Sequence, residues 1–103
     1  MIEQCQNRLL SVLLAGVAKK IFTTLMANQV TSYDTLADKL TGVLRSGLVN
    51  RLRREFSWFT AQDWMEFATQ GAVYAFSGEV NEATLRMIQQ LREALDYLLR
   101  RYG

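Results

Sequence analysis

The sequence predicts an all-α fold, a single compact helical bundle of about five helices. Its 103 residues include no proline and only six glycines, so few positions force the backbone to break. Half of the residues are apolar, which is typical of a chain that folds around a core. Apolar residues recur at helical spacing, and no linker or repeat divides the chain. We therefore expect one helical domain over residues 1–103.

The first helix is predicted over residues 2–27. Apolar residues form two adjacent rows on it, Leu9, Leu13, Val17, Ile21 and Leu25 in one and Leu10, Leu14, Phe22 and Met26 in the other. A stripe this wide predicts a buried helix at the centre of the bundle. The run from Leu9 to Ala18 is about half the length of a bilayer crossing, and Lys19 and Lys20 follow it at once. We therefore predict no membrane span and no signal peptide.

The second and third helices are predicted on either side of Gly47. Residues 31–34 and 35–38 both resemble capping boxes, so the second helix should cover residues 33–46. Gly47 would end it, since glycine accepts the left-handed conformation. The third helix, over residues 48–59, would bury Leu48, Leu52, Phe56 and Phe59. A join at Gly47 is too short for the three-to-four-residue turn of a helix-turn-helix motif, which disfavours sequence-specific DNA reading.

The last two helices are opened by polar capping residues. Residues 60–63 form a capping box for a fourth helix that ends near Ser77 and Gly78. A strip of small residues on it predicts close approach of a neighbouring helix: Ala68, Gly71, Ala72 and Ala75. Asn81 is predicted to cap the last helix, which runs to the C-terminus. Its apolar residues keep helical spacing: Ile88, Leu91, Leu95, Leu98 and Tyr102.

Two blocks of opposite charge are the strongest functional signal. Residues 39–54, here the basic block, hold five cationic residues and no acid: Lys39, Arg45, Arg51, Arg53 and Arg54. Residues 55–82, here the acidic block, hold five acids and no cation: Glu55, Asp63, Glu66, Glu79 and Glu82. The net charge of +2 conceals this division. Such a layout indicates a basic face for an anionic partner and an acidic face for another contact.

The basic block predicts binding to a nucleic-acid backbone. Clustered arginines suit phosphates, with which guanidinium groups form forked hydrogen bonds, and Lys19 and Lys20 would extend the surface. The alternative is a solvated helix face whose arginine stems cover apolar neighbours. Stacking of bases on Trp58, Phe59 or Trp64 is possible, but their spacing beside apolar residues favours core positions.

An enzyme is not expected. The chain has no histidine and a single cysteine, which excludes Ser–His and Cys–His pairs and the usual zinc sites, and no metal or other cofactor is predicted. Asp63 and Glu66 share a helix face, yet Asp63 is also explained as a capping residue. The lone Cys5 is expected to be an inert helix residue. Because one cysteine forms no internal disulfide, a reducing, cytoplasmic location is expected.

One stretch resembles the small subunits of CRISPR effector complexes, especially those of the RNA-targeting branch. Residues 33–48 read YDTLADKLTGVLRSGL and share with them a tyrosine, a Lys-Leu pair, an aliphatic residue and a closing Gly-Leu pair, here Tyr33, Lys39, Leu40, Leu44, Gly47 and Leu48. Where those subunits often have a proline after the Lys-Leu pair, this chain has Thr41.

The resemblance implies a non-catalytic subunit of a ribonucleoprotein complex. Its basic face would hold single-stranded nucleic acid or an RNA–DNA hybrid without sequence specificity. From the charge layout we expect the acidic block to meet a neighbouring subunit, with copies of the chain stacking head to tail. The alternative is a protein-interaction module, such as an adaptor, an immunity protein or a phage inhibitor, with no affinity for nucleic acid.

Overall fold

Six α-helices and one π-helical turn make up the described part of the chain. The computed structural model describes the backbone of residues 2–102 and the side chains of residues 9–102, so the prediction for Cys5 lies outside the described side chains. The elements are α1 (Ile2–Ala27), α2 (Tyr33–Leu40), α3 (Ser46–Arg53), α4 (Ala61–Glu66), the π-helical turn Phe67–Gly71, α5 (Ala72–Phe76) and α6 (Glu82–Tyr102). Because residues 61–76 are helical without a break, these elements form five rods. The all-α prediction is confirmed.

The helix starts follow local capping signals. The Ser32 hydroxyl accepts an N–H bond from the first turn of α2, at 3.0 Å. Thr60 and Asp63 form a reciprocal capping box at α4, with distances of 3.0 and 3.1 Å. The Asn81 side chain accepts a backbone N–H bond of 2.8 Å at the start of α6. The caps at Thr60 and Asn81 were predicted, because such motifs depend only on neighbouring residues. At α2 the cap is Ser32, whereas the predicted boxes began at Thr31 and at Thr35.

The boundaries between α2 and α3 correct the prediction. Helix α2 ends at Leu40, and the turn is made by Gly42, whose φ is 84°. Gly47 lies inside the first turn of α3, which ends at Arg53 rather than at Phe59. The join therefore covers residues 41–45. This join is long enough for the turn of a helix-turn-helix motif, so the predicted argument against sequence-specific DNA reading was wrong.

The core centres on an aromatic cluster where α1 crosses the rod of residues 61–76. The Phe22 ring lies 5.0 Å from Phe67 and 5.6 Å from Phe76, between ring centroids. The predicted small-residue strip is buried, and within it Gly71 faces Leu40 at the end of α2 and Leu44 just after it. A Cβ on Gly71 would stand 2.9 Å from a methyl carbon of Leu44, so close approach here depends on glycine.

Helix α1 is buried only in its C-terminal half, which corrects the predicted central position. Ala18, Phe22 and Met26 are buried, and the helix packs mainly against α4 and α6. Four apolar residues before Ala18 are 49–68% exposed, namely Leu9, Val12, Leu13 and Val17. The segment Leu9–Ala27 is long and apolar enough to cross a membrane, by length and composition only, and 28% of it is buried in the protein. Since length and composition alone do not show that a helix crosses a membrane, the absence of a membrane span stays a prediction.

Candidate nucleic-acid interface

One of the charged residues of the acidic block, Asp63, is buried, with 1% exposure. Its two oxygens accept hydrogen bonds from Arg45 at 2.5 Å and from Arg51 at 2.9 Å. The backbone N–H of Thr60 donates a third at 3.0 Å. Arg45 also pairs with Glu66 at 3.2 Å. Part of the acidic block therefore neutralises part of the basic block within one chain.

The ionisation of Asp63 follows from these contacts. Burial alone would raise the pKa of this carboxyl group. The hydrogen bonds from Thr60 and Arg45, with the charges of Arg51 and Arg45, outweigh burial and hold the pKa below its ordinary value of 3.8. Asp63 is thus a charged structural residue, and its oxygens are not available to a neighbouring subunit.

The Lys39 side chain also binds partners within the fold and does not join the other basic residues. Its ammonium group donates a hydrogen bond of 2.6 Å to the carbonyl oxygen of Ser77 and lies 3.8 Å from Glu79. Glu79 in turn accepts a bond from Thr31 at 2.7 Å. These contacts tie α2 to the end of α5 across a half-buried surface, so we assign Lys39 and Glu79 to the fold.

Arg53 is paired in a different way. Its guanidinium group contacts Asp38 at 2.6 Å and Asp34 at 3.3 Å, and those carboxylates are 70% and 78% exposed as side chains. Ion pairs between exposed groups contribute only about 0–1 kcal/mol to stability. A phosphate that approaches Arg53 can therefore replace these carboxylates at small cost.

An open cleft of about 460 Å³ lies along α3 and the loop that follows it. We call it the arginine cleft, and it is lined by Gly47, Asn50, Arg51, Arg53, Arg54 and Trp58. None of these lining residues is acidic. Within the described residues the exposed Arg54 side chain makes no ion pair, and Arg51 has further N–H donors beyond the one that contacts Asp63. The cleft therefore offers three cationic groups and one amide.

The loop after α3 holds Trp58 in solvent. The indole is 77% exposed, whereas Phe56 and Phe59 pack into the core beside Trp64. Sequence reasoning placed Trp58 in the core with its neighbours, and this was wrong for Trp58 alone. The residue lies outside helix α3, so helical spacing does not set its direction.

The remaining predicted residues are separate from the cleft. Lys19 and Lys20 are exposed on α1, which packs mainly against α4 and α6. Glu55 and Glu82 are exposed, so of the five acids in the predicted interface these two reach solvent most freely. Of the seven predicted cationic residues, Arg51, Arg53 and Arg54 line the arginine cleft, where Asn50 and Trp58 join them.

Fold and site together define a small all-α domain with a surface cleft rich in arginine. No protein-family model, curated protein or solved structure matches this chain.

Proposed function

We propose that the protein is a non-catalytic nucleic-acid-binding module that holds the phosphate backbone of a single strand in the arginine cleft. The observation that supports this is the lining of the cleft, which contains three arginines and Asn50 and no acidic residue. Guanidinium groups bind phosphate oxygens through paired, charge-assisted hydrogen bonds. Contacts of this kind fix a strand in place and carry no sequence information.

The contributions of the three arginines differ. Arg54 makes no ion pair in the described structure, so it binds phosphate without losing another partner. Arg53 gives up only weak ion pairs with exposed carboxylates when it binds phosphate. Arg51 keeps its bond to buried Asp63 and presents its other donors. We therefore assign most of the binding to Arg53 and Arg54.

The narrower form of the proposal is a small subunit of a CRISPR-type effector complex in the cytoplasm. It rests on the resemblance over residues 33–48. Leu40, Leu44 and Leu48 of that pattern are buried, so the same intervals also serve the core. Guide RNA and further subunits would be its partners. Co-purification of the tagged protein with a short RNA of defined length supports this form, and recovery of the protein without RNA contradicts it.

The test of the broader proposal is fluorescence anisotropy with labelled strands at several salt concentrations. If three phosphates are neutralised, log affinity falls against log salt with a slope of about −2 for single strands. A generic RNA strand, a generic DNA strand and a DNA duplex are compared at equal length. Negligible binding of every strand at low salt contradicts the proposal.

A second candidate is a protein-interaction module that acts through α1. The observation that favours it is the exposed apolar face formed by Leu9, Val12, Leu13 and Val17. Such a face suits another apolar helix, including that of a second copy, and the association would be insensitive to salt. Sedimentation of the wild type and of Leu13→Glu over a range of concentrations tests this. Association that Leu13→Glu abolishes supports self-stacking, and a monomeric wild type at every concentration contradicts it.

A further inference from the structure

The loop of residues 54–59 combines backbone strain with a displayed aromatic ring. Three of its residues have left-handed backbone conformations, with φ values of 59° at Glu55, 65° at Phe56 and 71° at Trp58. Residues other than glycine adopt this region rarely, and each instance costs about 1–3 kcal/mol. Such strain persists only where the surrounding structure fixes it, and it is concentrated at functional sites.

The packing on both sides of Trp58 explains how the loop is held. The Phe56 ring lies 4.7 Å from Trp64 and 5.0 Å from Tyr33, and the Phe59 ring lies 4.8 Å from Trp64, between centroids. Backbone hydrogen bonds of 3.0 and 3.1 Å close the turns at Ser57 and Phe59. Phe56 before Trp58 and Phe59 after it are thus both anchored in the core.

Trp58 itself has no comparable contact. Within residues 9–102 it takes part in no ring–ring or cation–π contact. Leaving an indole in water forgoes roughly 1.5–3 kcal/mol of burial for a large apolar side chain. The loop therefore holds in solvent a side chain that would gain by packing, at the wall of the cleft that also contains Arg53 and Arg54.

We propose that Trp58 is a stacking platform for an unpaired nucleobase whose flanking phosphates are bound by Arg53 and Arg54. The inference rests on the proposed function and specifies its ligand as a single strand with accessible bases. An aromatic side chain stacks on any base, because every base has a π face, and a duplex does not offer its bases in this way. Single strands should therefore bind more tightly than duplexes, with little dependence on sequence.

The experiment combines one protein substitution with one change in the ligand. Wild type, Trp58→Ala and Trp58→Phe are titrated with a labelled single strand, with an abasic strand of the same length, and with a duplex. We expect Trp58→Ala to weaken binding of the intact strand about tenfold and to leave the abasic strand and the duplex unchanged. Trp58→Phe should retain most of the affinity. Because Trp58 is exposed, thermal unfolding of both variants should match that of the wild type.

The outcomes separate this inference from the proposed function. Equal binding of the intact strand by wild type and Trp58→Ala overturns the stacking role and leaves the cleft as a phosphate site. An equal loss for intact and abasic strands also overturns stacking, since no base is needed for it. Arg54→Gln is the control for the cleft. If this variant binds every strand as tightly as the wild type, the proposed function fails.

Discussion

Two parts of the same basic block behave in opposite ways. Arg45 and Arg51 converge on the buried carboxylate of Asp63, and they hold α3 and the preceding segment against α4. Arg53 and Arg54, a few residues further along the chain, border an open cleft without a buried acid. The contrast shows that a run of like charges in a sequence does not tell which charges remain available. The acids that neutralise the first pair belong to the acidic block, 12 to 21 residues away.

The largest expected effect tests the structural role of Asp63, which binds Arg45 and Arg51. Asp63→Ala should lower the free energy of unfolding by about 3 kcal/mol, because it removes a cap and leaves two arginines without their shared acceptor. Chemical denaturation measures the change. Glu66→Ala removes a single ion pair with Arg45 and is the matched control. It should lower the free energy of unfolding by less than about 1 kcal/mol. Equal effects of the two substitutions would contradict the assigned role of Asp63.

Acidification should reproduce part of that loss in the wild type. The folded-state pKa of Asp63 lies below its unfolded value of 3.8, so its contribution to stability is complete above that pH. The contribution is lost as the pH falls through the lower, folded-state pKa. Denaturation of the wild type and of Asp63→Asn at a series of acidic pH values measures this. The two proteins should converge in stability as the pH falls, and a constant difference between them would contradict the prediction.

Arg54→Glu tests the part of the basic block that borders the open cleft, Arg53 and Arg54. We expect the free energy of unfolding to change by less than about 0.5 kcal/mol, because the side chain is exposed and makes no ion pair in the described structure. Affinity for a single strand should fall at least about tenfold. Denaturation and anisotropy on the same preparation give both quantities. A destabilised variant would show that Arg54 belongs with Arg45 as a structural residue.

The smallest expected effect tests whether the exposed ion pairs of Arg53 compete with a bound strand. Asp34→Asn with Asp38→Asn frees Arg53 from its exposed partners, so single strands should bind roughly threefold more tightly. Glu82→Gln with Glu93→Gln removes two exposed acids on α6 and is the control for net charge. An equal gain in the control would mean that the effect is a general electrostatic one.

Local signals in the sequence predicted much of the fold. Residues 2–27 of α1 and the caps at Thr60 and Asn81 followed from neighbouring residues alone. The end of α2 did not, because the prediction used Gly47 as the stop, whereas the turn is made by Gly42. The π-helical turn Phe67–Gly71 carries no sequence signal that we recognise.

The candidate site was only partly predictable, for a related reason. Arg51, Arg53 and Arg54 were recognised as a cluster from their spacing on one short helix. The engagement of Arg45 and Lys39 depends on acids far along the chain, which only the tertiary fold brings near. Trp58 was assigned to the core because a helix was assumed to continue to Phe59, whereas α3 ends at Arg53.

The most direct test of the central claim is the dissociation constant for a labelled generic single strand, measured for two variants of the basic block. The account predicts that Arg53→Gln with Arg54→Gln weakens binding at least about tenfold. It also predicts that Lys39→Gln, whose lysine is held by Glu79 and Ser77, binds as the wild type does. Equal losses in both variants, or no binding by the wild type, would contradict the division of the block into a structural half and a binding half.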